Sequence, residues 1–223
     1  MSSWRRSMML FACVCATLSW GCREPLGYPD YSDYADIFAA QNVDAGPTLV
    51  GPDPYVPGEP RMSLGIFYEG PSSQTMEVDG ATSNFYIFIS GSNLTLDLED
   101  ETLDRVEGEK SDRMTHRGLG WWGSGVIWEP SRDLSEWTTL AVSLKSNDLK
   151  EVNITMGTPD KEVGLSAADY GYVADGEWHH LRVPLADFED KGVSLADLKV
   201  AFALGAAGGS AGDSILVDAL YLE

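Results

Sequence analysis

From Met62 onward the chain alternates. Met62, Leu64, Ile66 and Tyr68 are separated by small or dissimilar residues, Phe85-Tyr86-Ile87-Phe88-Ile89 is aromatic and β-branched, and Leu94-Thr95-Leu96-Asp97-Leu98 alternates strictly. Further runs at 125–129, 139–145, 151–156, 162–165, 178–185, 198–204 and 215–222 are set apart by turn residues. A period of two places successive side chains on opposite faces of a strand, and strands at this spacing predict a sandwich or barrel. No stretch of a dozen residues carries a 3.6-residue repeat; Ser194-Leu195-Ala196-Asp197 predicts one helical turn. The expected fold is all-β, an antiparallel β-sandwich over residues 61–223 with two sheets packed face to face.

Before residue 61 the pattern is different. Arg5 and Arg6 precede an apolar run from Met8 to Leu18, too short to span a bilayer stably, so residues 1–21 read as a secretory signal. Residues 22–60 hold Pro25, Pro29, Pro47, Pro52, Pro54, Pro57 and Pro60 and no Lys, the composition of a disordered, semi-extended linker. Ile37-Phe38-Ala39-Ala40 is long enough for a single helical turn there.

Cysteine usage adds a second reading of the start. Cys13 and Cys15 lie inside the signal, so Cys22 is the one cysteine left after cleavage and the mature chain makes no internal disulfide. Leu18-Ser19-Trp20-Gly21-Cys22 resembles a bacterial lipobox, which implies acylation of Cys22 and an exported, lipid-anchored protein of the bacterial cell envelope. The formal charge of −20 becomes −22 once Arg5 and Arg6 are lost, which disfavours nucleic acid and anionic bilayer surfaces as partners. Contact with a membrane is therefore expected through the anchor alone.

Candidate chemistry concentrates after Gly118. In Gly118-Leu119-Gly120-Trp121-Trp122-Gly123-Ser124-Gly125-Val126-Ile127-Trp128 the adjacent indoles of Trp121 and Trp122 point to opposite sides of an extended chain, one to the core and one to solvent. Trp128 shares parity with Val126. Exposed aromatic rings among glycines suit the flat apolar face of a sugar, and charged neighbours such as Glu129 and Arg132 suit its hydroxyl rim. Tyr170 and Tyr172 flank Gly171, and i, i+2 spacing in an extended loop turns both rings to one side.

Asp175-Gly176-Glu177-Trp178 with Val183-Pro184-Leu185-Ala186-Asp187-Phe188, followed by Ile215-Leu216-Val217-Asp218-Ala219-Leu220-Tyr221-Leu222, resembles the galactose-binding-like jelly-roll superfamily and its bacterial carbohydrate-binding modules. The resemblance implies a jelly roll that binds a poly- or oligosaccharide without transforming it. On the residues above, its site is Trp121, Trp122, Trp128, Glu129, Arg132, Tyr170 and Tyr172. It implies no catalytic cofactor and a structural calcium joining first and last strands, for which Glu69 and Asp218 are the candidates. Ala219 stands where a second Asp is usual. Two rival readings use the same scaffold: a glycoside hydrolase or polysaccharide lyase with two carboxylates across the site, and a protein-binding or envelope-structural lipoprotein with a flat apolar patch.

Other motifs do not fit their chemistry. Gly208-Gly209-Ser210-Ala211-Gly212 spells a nucleophile elbow, but a strand follows where a helix is needed and no His lies downstream. His179 and His180 are sequential on a predicted strand and diverge, so they do not chelate one ion.

Overall fold

The computed structural model describes residues 49–50, 61–64, 74–78, 81–107 and 110–223. The signal segment, Cys22, the predicted helical turn at 37–40, most of the linker and Glu69 lie outside them. Among the described residues no helix is long and apolar enough to cross a membrane.

The strands are β1 (Leu49–Val50), β2 (Met62–Ser63), β3 (Gln74–Val78), β4 (Ala81–Ile87), β5 (Ile89–Ser90), β6 (Asn93–Leu94), β7 (Leu96–Glu101), β8 (Ser111–His116), β9 (Trp121–Arg132), β10 (Thr139–Lys145), β11 (Asn153–Gly157), β12 (Glu162–Ser166), β13 (Trp178–Pro184), β14 (Leu198–Ala207) and β15 (Ser214–Leu222). Sheet one runs β1-β13-β10-β15-β8-β7, with β2 alongside the end of β15; sheet two runs β12-β11-β14-β9-β4-β3. All neighbours are antiparallel except β1, which lies parallel to β13 with Leu49 opposite Trp178. Thus two residues of the Pro-rich segment add an edge strand to the sandwich. A single helical turn, α1 (Ala186–Glu189), follows β13, and the turn expected at 194–197 is a 3-10 turn at Leu195–Asp197.

The core lies between the sheets. Leu140, Val142, Leu181, Val183, Ile215 and Val217 come from sheet one, and Phe85, Trp122, Val126, Ile154, Phe202 and Leu204 from sheet two. Parity along β9 is clear: Trp122, Ser124, Val126 and Trp128 point inward, and the Ser124 hydroxyl reaches the Met114 sulfur of sheet one at 3.2 Å.

The outer face of sheet one is closed by the 102–107 loop. Val106 packs on Ala141, Ala219 and Tyr221. Asp218 Oδ2 accepts the N–H groups of Val106 and Glu107 at 2.6 and 3.1 Å. The Trp178 indole N–H donates to Asp104 at 2.8 Å, and Lys145 pairs with the same carboxylate at 2.8 Å. Arg61 lies over the Tyr221 ring at 4.2 Å and pairs with Glu107 at 3.0 Å.

Candidate functional site

The outer face of sheet two is built from the residues that the core does not use. Register carries two rows across it. The first reads Phe88, Gly123, Gly205, Asn153, Ser166, and the second Tyr86, Gly125, Ala203, Thr155, Gly164. Trp121 and Ala207 stand opposite each other two residues beyond the first row, on the same face. On the β4 side the face therefore carries aromatic rings. Its middle, on β9 and β14, is glycine and alanine. On the β11 and β12 side it carries an amide and hydroxyls.

This order makes a shallow groove, whose floor residues Gly123, Gly125 and Ala203 are themselves buried by the neighbouring rows. The wall strands β4 and β11 are three strand spacings apart, about 14 Å between backbones. The floor is low because side chains would not fit: a Cβ on Gly125 would meet the Ala203 Cβ at 2.8 Å, and one on Gly123 would meet Phe88 Cδ2 at 2.7 Å. Phe88 leans over Gly123, and its ring centroid is 6.4 Å from that of Trp121, tilted by 42°. Trp121 is 38% exposed, Ile89 beside Phe88 is 59% exposed, and Tyr86 and Phe88 are half-buried. Asn153 is exposed, and Thr155 and Ser166 are half-buried. Aromatic faces, a flat floor and neutral hydrogen-bonding groups together match a ligand with apolar CH faces and a hydroxyl rim.

Of the residues expected from sequence, Trp121 lies in this groove and Glu129 is exposed farther along the same strand. Three expectations are corrected. Trp122 and Trp128 are 1% and 0% exposed, because the alternation that turns Trp121 outward turns both of them into the core. Arg132 lies over the buried Trp128 ring at 4.8 Å and reaches the Met62 sulfur, so it covers the core. Tyr170 and Tyr172 do not share a side, since the chain forms a 3-10 turn at Ala167–Tyr170 and leaves it through Gly171 at φ 97°. Tyr172 is buried with its hydroxyl donated to the Leu149 carbonyl at 2.5 Å, and burial pushes it up to about 12. The Tyr170 hydroxyl is donated to Asp187 at 2.7 Å.

Tyr86, Phe88, Asn153 and Thr155 were not among the sequence candidates. Their signal was parity: in each strand they alternate with buried residues, Phe85 and Ile87 in one case, Ile154 and Met156 in the other.

The described residues include only one of the two calcium candidates, Asp218. Glu69 is outside them, and both Asp218 oxygens accept backbone N–H groups, Oδ1 from Ala219 at 2.7 Å in addition to the two on Oδ2. Three of about four acceptor positions are then taken, while calcium needs six to eight oxygens. Among the described residues no group of three His, Cys, Asp or Glu converges to hold a metal. Ala219 itself has φ 46°, a backbone bend that its N–H bond to Asp218 holds in place.

The histidines diverge. His179 pairs with Asp175 at 2.8 Å and sits edge-on to Tyr172, while the His180 ring stacks on Tyr221 and its Nδ1 meets the Ser143 hydroxyl at 3.0 Å. Burial, then the charges of Arg182 and Arg61, lower His180 to about 4, so it is neutral at pH 7. Gly208–Gly212 form the hairpin between β14 and β15, where Ser210 N–H donates to Asp213 at 2.7 Å; no helix follows.

The sequence profile described as Carbohydrate binding domain 30 matches residues 65–218. The chain belongs to this family. The fold agrees with the family 30 carbohydrate-binding module of the cellulosomal cellulase Cel9D-Cel44B of Clostridium thermocellum, at 14% identity and a TM-score of 0.51, covering 74% of this chain and 98% of that one. A family 11 module from Clostridium thermocellum, in complex with a β-1,3-1,4-mixed-linked tetrasaccharide, is similar at 12% identity and a TM-score of 0.46, covering 73% of this chain and 94% of that one. An exo-β-agarase aligns at 12% identity and a TM-score of 0.46, over 60% of this chain and 23% of its own. No curated protein matches the chain.

Proposed function

We infer that this carbohydrate-binding domain takes its glycan in the sheet-two groove, without cleaving it, and that export and acylation at Cys22 tether it to the bacterial envelope. The observation that carries the reading is the ordering of one sheet face into aromatic wall, glycine-alanine floor and amide-hydroxyl wall, while the opposite face of the sandwich is closed by its own loop. A sugar ring lies against Trp121 and Phe88, and Asn153 and Thr155 meet its hydroxyls. Glycosidic cleavage in most families needs two carboxyl groups flanking the bond; the two rows that form this groove carry neutral side chains, which favours binding alone.

The charge of the chain selects among glycans. A protein at −20 repels a polyanion, most strongly at low salt. Titration calorimetry or affinity electrophoresis with hydroxyethylcellulose, mixed-linkage β-1,3-1,4-glucan, xylan and polygalacturonate tests the reading. Binding to at least one neutral polymer is expected, with polygalacturonate the weakest ligand at 20 mM salt. Failure to bind any of the four rejects a glycan site of this kind.

The anchor has its own test. Cys22→Ser should move the chain from the membrane pellet to the soluble exported fraction, since among the described residues no helix is long and apolar enough to cross a membrane. Equal partitioning of wild type and variant would refute acylation.

A further inference from the structure

We propose that Thr95 is a positioning residue for the aromatic wall, setting the Phe88 ring against Trp121 through a hydroxyl inserted in the β4–β9 ladder; this rests on the groove being the glycan site. Thr95 is fully buried and touches no solvent, so it makes no contact with ligand.

The inserted hydroxyl is visible in the hydrogen bonds. In an antiparallel hydrogen-bonded pair, each residue gives its N–H to the other's carbonyl. Phe88 and Gly123 make one half of that exchange directly, Phe88 N–H to Gly123 carbonyl at 2.9 Å. The other half is relayed. Gly123 N–H donates to Thr95 Oγ1 at 3.2 Å, and Thr95 Oγ1 donates to the Phe88 carbonyl at 2.8 Å, the nearer of its two acceptors, the Gly123 carbonyl being at 3.2 Å. The Thr95 amide donates to the same carbonyl at 2.9 Å.

The relay has a geometric consequence. Regular pairing of β4 with β9 stops at Ile87 opposite Ser124, and the chain leaves the sheet at Phe88 into the β5–β6 hairpin. Thr95, at the foot of that hairpin, fixes where it leaves. The Phe88 ring is thereby laid over Gly123, within reach of Trp121. Without the hydroxyl, Gly123 N–H and the Phe88 carbonyl are free to pair directly, which draws Phe88 toward β9 and shifts its ring.

The test is a set of substitutions in the full chain, with the three neutral polymers as probes. Thr95→Val keeps shape and removes the relay; it should weaken binding to whichever polymer the wild type retains by about fivefold or more. Thr95→Ser keeps the hydroxyl and should stay within about twofold. In a Phe88→Ala background Thr95→Val should change affinity by less than about twofold, since its effect passes through that ring. Equal losses with and without Phe88, or an unaffected Thr95→Val, overturn the proposal. Should Thr95→Val not fold, Thr95→Cys takes its place, a weak donor of similar bulk. Acrylamide quenching of Trp121, taken as the difference between each protein and its Trp121→Phe counterpart, gives a readout independent of ligand. It should rise in the Val or Cys variant and not in Ser. Unchanged quenching refutes the positioning role even if no polymer binds, whereas absent binding with the quenching change present refutes only the glycan reading.

Discussion

Trp121→Ala should weaken glycan binding by roughly 10- to 100-fold and leave thermal stability almost unchanged, whereas Trp122→Ala should do the reverse. The two residues are neighbours in the chain and opposites in the fold. Trp121 is partly exposed on β9 at the end of the groove, beside Phe88 of the wall, so the ligand completes its burial; covering an aromatic side chain is worth about 1.5–3 kcal/mol, and each 1.4 kcal/mol is tenfold in Kd. Trp122 is sealed in the core, where truncation of a Trp leaves a cavity and costs about 3–5 kcal/mol. For a domain of this size that is a fall in Tm on the order of 10 °C. Calorimetric titration with the retained neutral polymer and a melting curve on both variants separate the two effects. If Trp121→Ala binds like wild type, the aromatic wall is not where the sugar lies and the groove assignment is wrong.

The contrast also shows what periodicity can carry. Alternation required that the two indoles part, and the spacing of the runs predicted a sandwich, while the family resemblance rested on the residues at 175–188 and 215–222. It did not say which indole faced out. That is decided by Trp122 sharing parity with Ser124, Val126 and Trp128 across a strand of a dozen residues, longer than the 125–129 run suggested. Strand β8 escaped notice because Ser111-Asp112-Arg113-Met114-Thr115-His116 reads as polar, although Met114 and His116 are buried. Tyr170 and Tyr172 misled because i, i+2 logic holds only for extended chain, and here the backbone coils. Phe88 was hidden inside an aromatic run that looks uniform until the strand breaks at it.

The groove itself was legible only in pieces. Gly123 and Gly125 were visible as an approach for a flat ligand, yet their partners Gly205 and Ala203 lie some eighty residues on, and only register brings them together. A floor of this kind is a property of pairing between strands. It has no signature in any one of them.

On the other sheet, stability should fall as pH rises from about 6.5 to 8.5, and Asp112→Asn should remove most of that slope. Burial, opposed by Lys110 and reinforced by Asp100 and Asp218, pushes the Asp112 carboxyl up to about 8, and burial with the Glu107 charge pushes Asp218 to about 7 against its three N–H donors. Burial also raises Glu107, against the pull of Arg61. A carboxyl raised on folding keeps a proton that the unfolded chain releases, so its contribution is complete below about pH 4 and is lost as pH passes the folded value. His180 works oppositely. Lowered to about 4, it refuses a proton that the unfolded chain accepts below about 6.5, so stability rises with pH through that interval and is level above it. The two trends oppose each other from about 4 to 6.5, and only the carboxyls act beyond. One proton held by the folded state alone is worth about 1.4 kcal/mol per pH unit. Over the window in which Asp112 titrates this amounts to a few kcal/mol, or roughly 4–8 °C in Tm. Melting curves on wild type and Asp112→Asn between pH 6 and 9 measure it. A variant that keeps the full wild-type slope would show that Asp112 is already ionised in the fold and that another raised carboxyl of this face, Asp218 or Glu107, carries the slope.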